Sequence, residues 1–203
     1  RQAGDGIADL VLGQPDLFAS VVLNRRVGAQ ALGTANPASL PANLRSVAID
    51  PATGRLFVAD GRARVLSWPG LANLQNGEAA DVFVGRPDAF TLDCDDMAPT
   101  ATIVCDPWGL AVDAGGRLYV SEPARHRVLR FDPPHRTGMA AARVFGQGGS
   151  FTTFTRNKGG IGPGSLSEPS GLATSGNRLF IHDGGNARIL VFDDPDAVAN
   201  ANA

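Results

Sequence analysis

The sequence repeats itself three times, and no other feature restricts its possible folds as strongly. Three segments align with one another: 44–60, 109–122 and 171–183. Each contains an Arg-Leu pair and is followed by a short apolar run that begins with an arginine. These runs are 64–68, 127–131 and 188–192. Similarity at a fixed period is typical of folds that stack one supersecondary unit after another, and the period of roughly 60 residues here is longer than the usual ~20–50.

Each repeat predicts four short β-strands. The aligned segments hold two apolar runs around a turn that contains glycine, which is the pattern of a hairpin. The run that begins with arginine supplies a third strand, and a fourth follows at 80–85 and at 142–146. Long helices are not expected, because the chain contains 25 Gly and 14 Pro. The pattern favours an all-β fold of the β-propeller type, with about three four-stranded blades in this chain.

These blades would form a single propeller domain, or part of one, over residues 1–203. The predicted blades cover 41–90, 107–151 and 169–203, and the last has only three strands. Residues 8–13 repeat the fourth strand with no blade ahead of it. Propellers close with about four to eight blades, so three units cannot close a ring by themselves. We expect further blades of a longer chain, or a second copy whose orphan strand completes the last blade, to cover the open ends.

The repeat resembles the NHL repeat of β-propeller proteins. The shared pattern is Pro-x-Gly-Leu-Ala-Val-Asp, then Gly-Arg-Leu-Tyr-Val, then Arg-Val-Leu-x-Phe. The ending Gly-Gln-Pro-Asp-x-Phe, carried by 12–18, by 84–90 with Arg in place of Gln, and more loosely by 145–151, is similar to that of bacterial secreted NHL proteins. The resemblance implies a secreted or surface-exposed NHL-type propeller. Because NHL rings commonly close with six blades, it also implies that the three units here are half of a six-bladed ring. It leaves the activity open, since propellers host lyases, hydrolases, RNA readers and inert scaffolds.

The two cysteines, Cys94 and Cys105, lie in a predicted loop and belong to no C-x-x-C pair. No histidine is near enough in sequence to complete a zinc site. We expect a local disulfide, which would place the protein outside the cytoplasm. Two unrelated free thiols are the alternative. In the secreted NHL proteins that the chain resembles, the equivalent loop often holds a cysteine pair.

A carboxylate ends the second predicted strand of each repeat, shortly before the arginine that opens the third. The pairs are Asp60 with Arg64, Glu122 with Arg127, and Asp183 with Arg188. A ring of such carboxylates could hold a cation. A feature present in every repeat is better explained as serving the repeat itself, so we expect each carboxylate to pair with its own arginine at the turn.

The three histidines occupy different repeat positions, so we do not expect them to converge on a metal ion. They are His126, His135 and His182. The acidic clusters at 93–96 and 193–196 could attract Ca²⁺, but they lack the ligand spacing and the distal glutamate of an EF-hand loop. We therefore expect no cofactor, with Ca²⁺ at these clusters as the alternative.

Three residues are candidates for contact with a ligand: Trp108, His182 and Asp183. Trp108 precedes an inner strand near a rim, whereas Trp68 occupies a third-strand position where core packing is expected. His182 stands on an inner strand beside a carboxylate and could line a pocket. Catalytic motifs such as G-x-S-x-G and H-E-x-x-H do not occur in the sequence.

Charge and hydropathy argue against two classes of partner. The net charge is −2 and Lys158 is the only lysine, so the electrostatic attraction that dominates nucleic-acid binding is missing. No apolar run approaches the ~18 residues of a membrane span. The sequence favours a secreted or surface-exposed, non-catalytic module that binds a protein or glycan or serves as a scaffold. The alternative is part of a propeller enzyme, a metal-dependent lyase or hydrolase, whose site is completed by blades outside this chain.

Overall fold

Eleven strands form three antiparallel sheets in the computed structural model, which describes residues 8–12, 44–60, 63–70, 72, 74–88, 91 and 98–198. The first sheet, blade 1, contains β1 (Leu44–Ile49), β2 (Leu56–Asp60), β3 (Arg64–Trp68) and β4 (Val82–Val84). Blade 2 contains β5 (Leu110–Val112), β6 (Leu118–Glu122), β7 (Arg127–Phe131) and β8 (Arg143–Phe145). Blade 3 contains β9 (Pro169–Ser175), β10 (Arg178–Asp183) and β11 (Arg188–Phe192).

The strands follow one another in chain order across each sheet, each paired with its neighbour. This arrangement confirms the predicted all-β fold of the propeller type. One-turn 3-10 helices lie at Pro123–Arg125, Gly184–Asn186 and Pro195–Ala197. None of the helices described is long and apolar enough to span a membrane.

Aspartates close the first hairpin of blades 1 and 2, which explains the recurring Asp that precedes the Gly-Arg pair. The Asp50 carboxylate accepts the backbone N–H of Ala52 at 2.9 Å. The Asp113 carboxylate accepts the backbone N–H groups of Gly115 and Arg117 at 2.9 and 3.1 Å. Such short side-chain bonds hold the turn in place, so the sequence specifies where the first strand ends.

Apolar side chains fill the two spaces between adjacent blades. Successive side chains of a strand point to opposite faces, so blade 2 contributes to both layers. The layer between blades 1 and 2 includes Phe57, Val65, Val84, Leu118, Val120, Leu129 and Phe131. The layer between blades 2 and 3 includes Tyr119, Val128, Phe145, Leu166, Leu179 and Ile181. The first strands also touch in turn, β1 with β5 and β5 with β9, so they line the inner edge of an arc.

The two ends of the arc differ in how they are covered. On the outer face of blade 3, Ile189 is 65% exposed and Val191 is 49% exposed. On blade 1, β2 and β3 are buried on both faces. Leu10 and Leu12 pack there against an outer apolar cluster. Its members are Leu56, Val58, Leu66, Trp68, Leu74, Ala80 and Phe83.

Residues 8–12, which belong to the predicted orphan strand at 8–13, pair with no strand in the described part of the chain, so the orphan strand stays a prediction. These residues lie on blade 1, where the backbone N–H of Val11 donates to the Asn76 side chain at 3.0 Å. The backbone N–H of Gly77 donates to the carbonyl of Val11 at 3.1 Å. A strand needs a neighbouring edge for its ladder, and blade 1 offers these residues a face rather than an edge.

Candidate functional site at the inner-strand rim

The first strand of each blade begins at the edge where the second strand ends, and this edge carries the candidate site. In blade 1 Leu44 pairs with Asp60, and in blade 3 Pro169 pairs with Asp183. Arg45, Trp108 and Ser170 occupy the equivalent position at the start of the three first strands, so they lie one per blade along the inner edge. We define the inner-strand rim as Arg45, Asp106, Trp108, Ser170 and His182.

Trp108 is held at the junction of blades 1 and 2 with much of its ring in solvent. The residue is 43% exposed, and the Arg45 guanidinium carbon lies 3.9 Å from the ring centroid. Arg45 also lies 3.4 Å from an Asp106 carboxylate oxygen. A guanidinium stacked on an indole fixes the orientation of both groups. The result is a pre-oriented aromatic surface beside a cation.

The rim continues into blade 3 through hydrogen bonds among small polar groups. The Ser121 hydroxyl donates to the Ser170 carbonyl at 2.6 Å and accepts the backbone N–H of Gly109 at 2.8 Å. The Ser170 hydroxyl lies 2.7 Å from Nδ1 of His182. The exposed His182 ring can therefore exchange a further hydrogen bond through its other nitrogen.

Asp183, a predicted ligand-binding residue, is buried and its carboxylate is already occupied. Oδ1 accepts the backbone N–H of Ser167 at 2.6 Å. Oδ2 accepts from Asn186 at 2.8 Å and from Nε of Arg188 at 2.7 Å. With these partners the carboxylate is engaged within blade 3, so we place Asp183 in the framework of that blade and not in the rim.

The other two repeat carboxylates are placed in the same way. Nε of Arg64 lies 3.0 Å from Asp60, and Nε of Arg127 lies 2.7 Å from Glu122. Both pairs are buried, and in both the two residues face each other at the ends of the second and third strands. The structure therefore brings each carboxylate together with its own arginine, once per blade, as a structural device.

Arg127 and Glu122 also fasten the loops around blade 2. The Glu122 carboxylate accepts the backbone N–H of Cys105 at 2.7 Å. The Arg127 guanidinium donates to the carbonyls of Phe151 and Ile103 at 2.8 and 3.0 Å. One buried ion pair thus holds both the loop that enters the blade and the loop that leaves it.

The C-terminal acidic cluster binds arginines. Asp196 accepts from Arg117 and from Arg130, each at 2.6 Å, and these hydrogen bonds lower the pKa of Asp196 below its ordinary value. Asp193 pairs with Arg178 at 2.8 Å. The acidic cluster at 93–96 lies outside the described residues. Within the described part of the chain, no three His, Cys, Asp or Glu side chains form a group that could hold a metal ion.

The remaining histidines lie apart from the rim. His126 has a left-handed backbone conformation, with φ of 49°, and its Nδ1 accepts the backbone N–H of Glu168 at 3.1 Å. His135 packs edge-on against Phe57, with ring centroids 4.9 Å apart. Burial lowers the pKa of both His126 and His135. His126 therefore belongs to the turn between β6 and β7, and His135 packs at the edge of the apolar core.

The predicted disulfide stays a prediction, because Cys94 lies outside the described residues. Cys105 is buried, and Nη2 of Arg86 lies 3.6 Å from its sulfur. Trp68 is fully buried and donates its indole N–H to the carbonyl of Glu78 at 2.9 Å. Trp108 is thus the more accessible of the two tryptophans.

The sequence pattern did not reveal the role of the residue after the fourth strand, which is Arg86 in blade 1 and Gln147 in blade 2. Nε of Arg86 donates to the carbonyl of Ala63, and the amide of Gln147 donates to the carbonyl of His126. Ala63 and His126 occupy equivalent turns between the second and third strands. The Gly-Arg or Gly-Gln pair that ends the fourth strand was the sequence signal for this contact. The contact holds the end of the fourth strand against this turn.

Comparison with protein-family models identifies residues 104–131 as an NHL repeat. This match confirms the resemblance noted in the sequence, over the part of blade 2 from the entering loop to the third strand. The comparison with curated proteins found no match.

Solved structures similar to this chain include several proteins of different function. Hydrazine synthase of Kuenenia stuttgartiensis is 18% identical, with a TM-score of 0.43 over 86% of this chain and 37% of that one. An auxiliary nutrient binding protein of Bacteroides thetaiotaomicron is 14% identical, with a TM-score of 0.46 over 70% and 35%. A gluconolactonase of Xanthomonas campestris is 16% identical, with a TM-score of 0.38 over 70% and 35%. The chain therefore spans well under half the length of each of these proteins.

Proposed function

We propose that this chain, whose residues 104–131 match the NHL repeat, is a non-catalytic propeller module that binds a protein or glycan ligand at the inner-strand rim. The observation that carries the proposal is the exposed Trp108 ring stacked against Arg45. An exposed, oriented aromatic ring with polar neighbours is the usual anchor of a binding surface. Its position on the inner edge of the arc lets side chains from all three blades contribute.

Ligand binding is tested by isothermal titration calorimetry with a panel of soluble oligosaccharides and by pull-down of candidate protein ligands. Trp108→Ala should weaken binding at least tenfold, because the ring supplies the stacking surface. Phe154→Ala is the matched control, since Phe154 is also exposed but lies outside the rim. Equal binding by Trp108→Ala and the unmodified chain would contradict the assignment of the rim.

The proposal includes a secreted or surface-exposed location, supported by the Cys94–Cys105 loop. A disulfide across this loop would stabilise the fold by about 3 kcal/mol on the chain-entropy model. Thiol titration of the denatured protein, without reductant, should detect no free thiol when the chain is produced in an oxidising compartment. Two titratable thiols would contradict both the disulfide and the argument for secretion.

A second candidate function, part of a propeller hydrolase, is favoured by the contact between Ser170 and His182. A hydroxyl 2.7 Å from an imidazole nitrogen is a nucleophile and base within hydrogen-bond reach. A fluorophosphonate probe distinguishes the two functions. Under the non-catalytic proposal Ser170 is not labelled, and labelling that is lost in His182→Ala would support the hydrolase instead.

The partners in the proposal include further propeller blades. The exposed Ile189 and Val191 side chains share one face of blade 3, and Val47 is 62% exposed on the outer face of blade 1. Apolar sheet faces of this kind are normally covered. We therefore propose that additional blades pack on both ends of the arc.

A further inference from the structure

We propose that the loop formed by residues 151–164 docks this protein on a membrane surface that contains anionic phospholipid. Two apolar side chains, Phe154 and Ile161, would enter the bilayer interface, and two cations, Arg156 and Lys158, would contact the headgroups. We call residues 151–164 the docking loop. It contains no residue of the inner-strand rim, so membrane docking and ligand binding at the rim can fail separately.

The docking loop leads from the end of β8 toward β9, at the junction of blades 2 and 3. The Arg156 guanidinium donates to the carbonyl of Gly185 at 3.4 Å. Asn157 and Asn186 exchange two hydrogen bonds through their side-chain amides, at 3.0 and 2.7 Å. Gly185 and Asn186 belong to the one-turn helix that follows β10. The loop is therefore exposed with both of its neighbouring blades in place.

Phe154 is presented to solvent from a fixed backbone. The residue is 57% exposed, whereas Gln147 is fully buried. The Gln147 amide oxygen accepts the backbone N–H of Thr155 at 3.0 Å and the hydroxyl of Thr153 at 3.1 Å. The Gln147 amide nitrogen donates to the carbonyl of Thr155 at 2.9 Å. Because the chain is held on both sides of the ring, little conformational entropy is lost when the ring is buried against a partner.

Ile161 is presented from a segment that is anchored but stands clear of the rest of the fold. It is 72% exposed, and the carbonyl of the next residue, Gly162, accepts from Arg188 at 2.8 Å. A Cβ added at any of four glycines around it would meet no atom within 4 Å; they are Gly159, Gly160, Gly162 and Gly164. A projecting tip offers no groove for a protein segment, but its apolar side chains can enter the fluid interface of a bilayer.

The charge of the docking loop complements an anionic surface. No Asp or Glu occurs between residues 133 and 167. Among the described residues, the side chains of Arg156 and Lys158 donate to neutral groups, the carbonyl of Gly185 and the hydroxyl of Thr153. The net charge of the whole chain is −2. An anionic surface would therefore attract this loop rather than the molecule as a whole.

Docking through this loop would bring the inner-strand rim to the membrane. The Gln147 side chain, just ahead of the loop, donates to the carbonyl of His126 at the turn between β6 and β7. At its other end the loop leads to β9, which begins at Pro169, beside Ser170 of the rim. The docking loop and the rim thus lie on the same edge of the arc, and a ligand at Trp108 would be held near the lipid surface.

Vesicle sedimentation tests the proposal. The purified chain is mixed with vesicles of phosphatidylcholine alone or of phosphatidylcholine with phosphatidylglycerol, and the pelleted fraction is measured as lipid is added. We expect binding to be roughly tenfold stronger with phosphatidylglycerol and to weaken as salt is added, because two cations face the headgroups. No binding to either vesicle would overturn the proposal and would favour a protein partner for the loop.

Paired substitutions separate the two parts of the loop. Arg156→Gln with Lys158→Gln should weaken binding to the phosphatidylglycerol vesicles roughly tenfold, and Phe154→Ala with Ile161→Ala should weaken it by a similar factor. Arg178→Gln is the matched control, because the Arg178 side chain is 61% exposed and begins β10 at the opposite edge of blade 3. Equal binding by the control and the loop variants would overturn the proposal.

A fluorescent label measures insertion directly, without removing an interaction. Ile161→Cys, labelled with a dye that responds to solvent polarity, should shift to shorter wavelength when phosphatidylglycerol vesicles are added. Ala140→Cys with the same dye should not shift, because Ala140 is exposed on the loop between β7 and β8, at the opposite edge. A shift at both positions, or at neither, would overturn the proposal.

Discussion

Among single residues, the Glu122–Arg127 pair combines deep burial with contacts to two loops. Both side chains are 0% exposed, and their remaining bonds include backbone groups of both loops. An ion pair in such a place offers little net stability over an apolar pair, but the loss of one partner is costly because the other charge stays buried. The role of the Glu122–Arg127 pair is therefore to hold the two loops in position against blade 2.

Replacing Arg127 with Met should lower the free energy of unfolding by about 3–5 kcal/mol, because the buried Glu122 carboxylate loses its charge partner. Urea unfolding followed by circular dichroism measures the change. Arg178→Met is the control: its pair with Asp193 is 61% and 76% exposed, and such surface pairs contribute at most about 1 kcal/mol. Equal losses in the two variants would contradict the structural role of the buried pair.

Tyr119 is the only tyrosine of the chain, so its ionisation can be followed without interference from another phenol. Burial, reinforced by the charge of Asp113, raises the pKa of Tyr119 to about 12. A raised folded-state pKa stabilises the fold below the unfolded value of about 10, and this contribution is lost as pH rises toward 12. Absorbance at the phenolate band should therefore titrate near pH 12 in the folded protein and near pH 10 in denaturant. A folded-state midpoint at the denatured value would contradict the buried contact.

At the scale of the elements, the end of the fourth strand decides how one blade meets the next. Gly146 has φ of 91°, and a Cβ there would lie 2.7 Å from both the carbonyl oxygen of His126 and a methyl group of Leu166. Glycine is required at this position for its backbone conformation and for space. The close approach lets β8 end against the loop that leads into blade 3.

Gly146→Ala should therefore lower the free energy of unfolding by about 2–4 kcal/mol, through backbone strain and overpacking. Gly148→Ala is a matched control, since Gly148 also has positive φ but has no atom within 4 Å of the added Cβ. It should cost about 1 kcal/mol. Thermal unfolding of both variants measures the difference. A control as destabilised as Gly146→Ala would show that backbone conformation alone sets the cost.

The local repeat pattern was enough to predict the strands, their order and the carboxylate–arginine contacts, because each depends on residues close in sequence. Contacts between distant segments could not be predicted in this way. Arg45 stacks on Trp108, and Asp196 binds Arg117 and Arg130. These partners are brought together only when whole blades pack, so no local spacing indicates them.

The surroundings of Asp183 could not be judged from the sequence, for a related reason. Its position beside His182 suggested a shared pocket, but successive residues of a strand point to opposite faces. His182 is exposed on the outer face of blade 3, whereas the Asp183 carboxylate turns toward Ser167 and Arg188. Two neighbours in sequence therefore have different surroundings.

At the scale of the whole molecule, the described residues form three blades that pack one after another in an arc. Apolar layers fill both junctions within the arc, and the same repeat positions are exposed at its ends. His182 is the repeat equivalent of Ser121, whose hydroxyl reaches the first strand of the next blade at Ser170. If a further blade packs on blade 3, as proposed above, His182 would therefore face that blade, and Trp108 would remain the main contact for a ligand.

The most direct test of the proposed rim function is isothermal titration calorimetry of Trp108→Ala against the ligands named above, because the exposed Trp108 ring carries the proposal. We expect binding at least tenfold weaker than that of the unmodified chain. Equal binding by the two proteins would contradict the assignment of the rim.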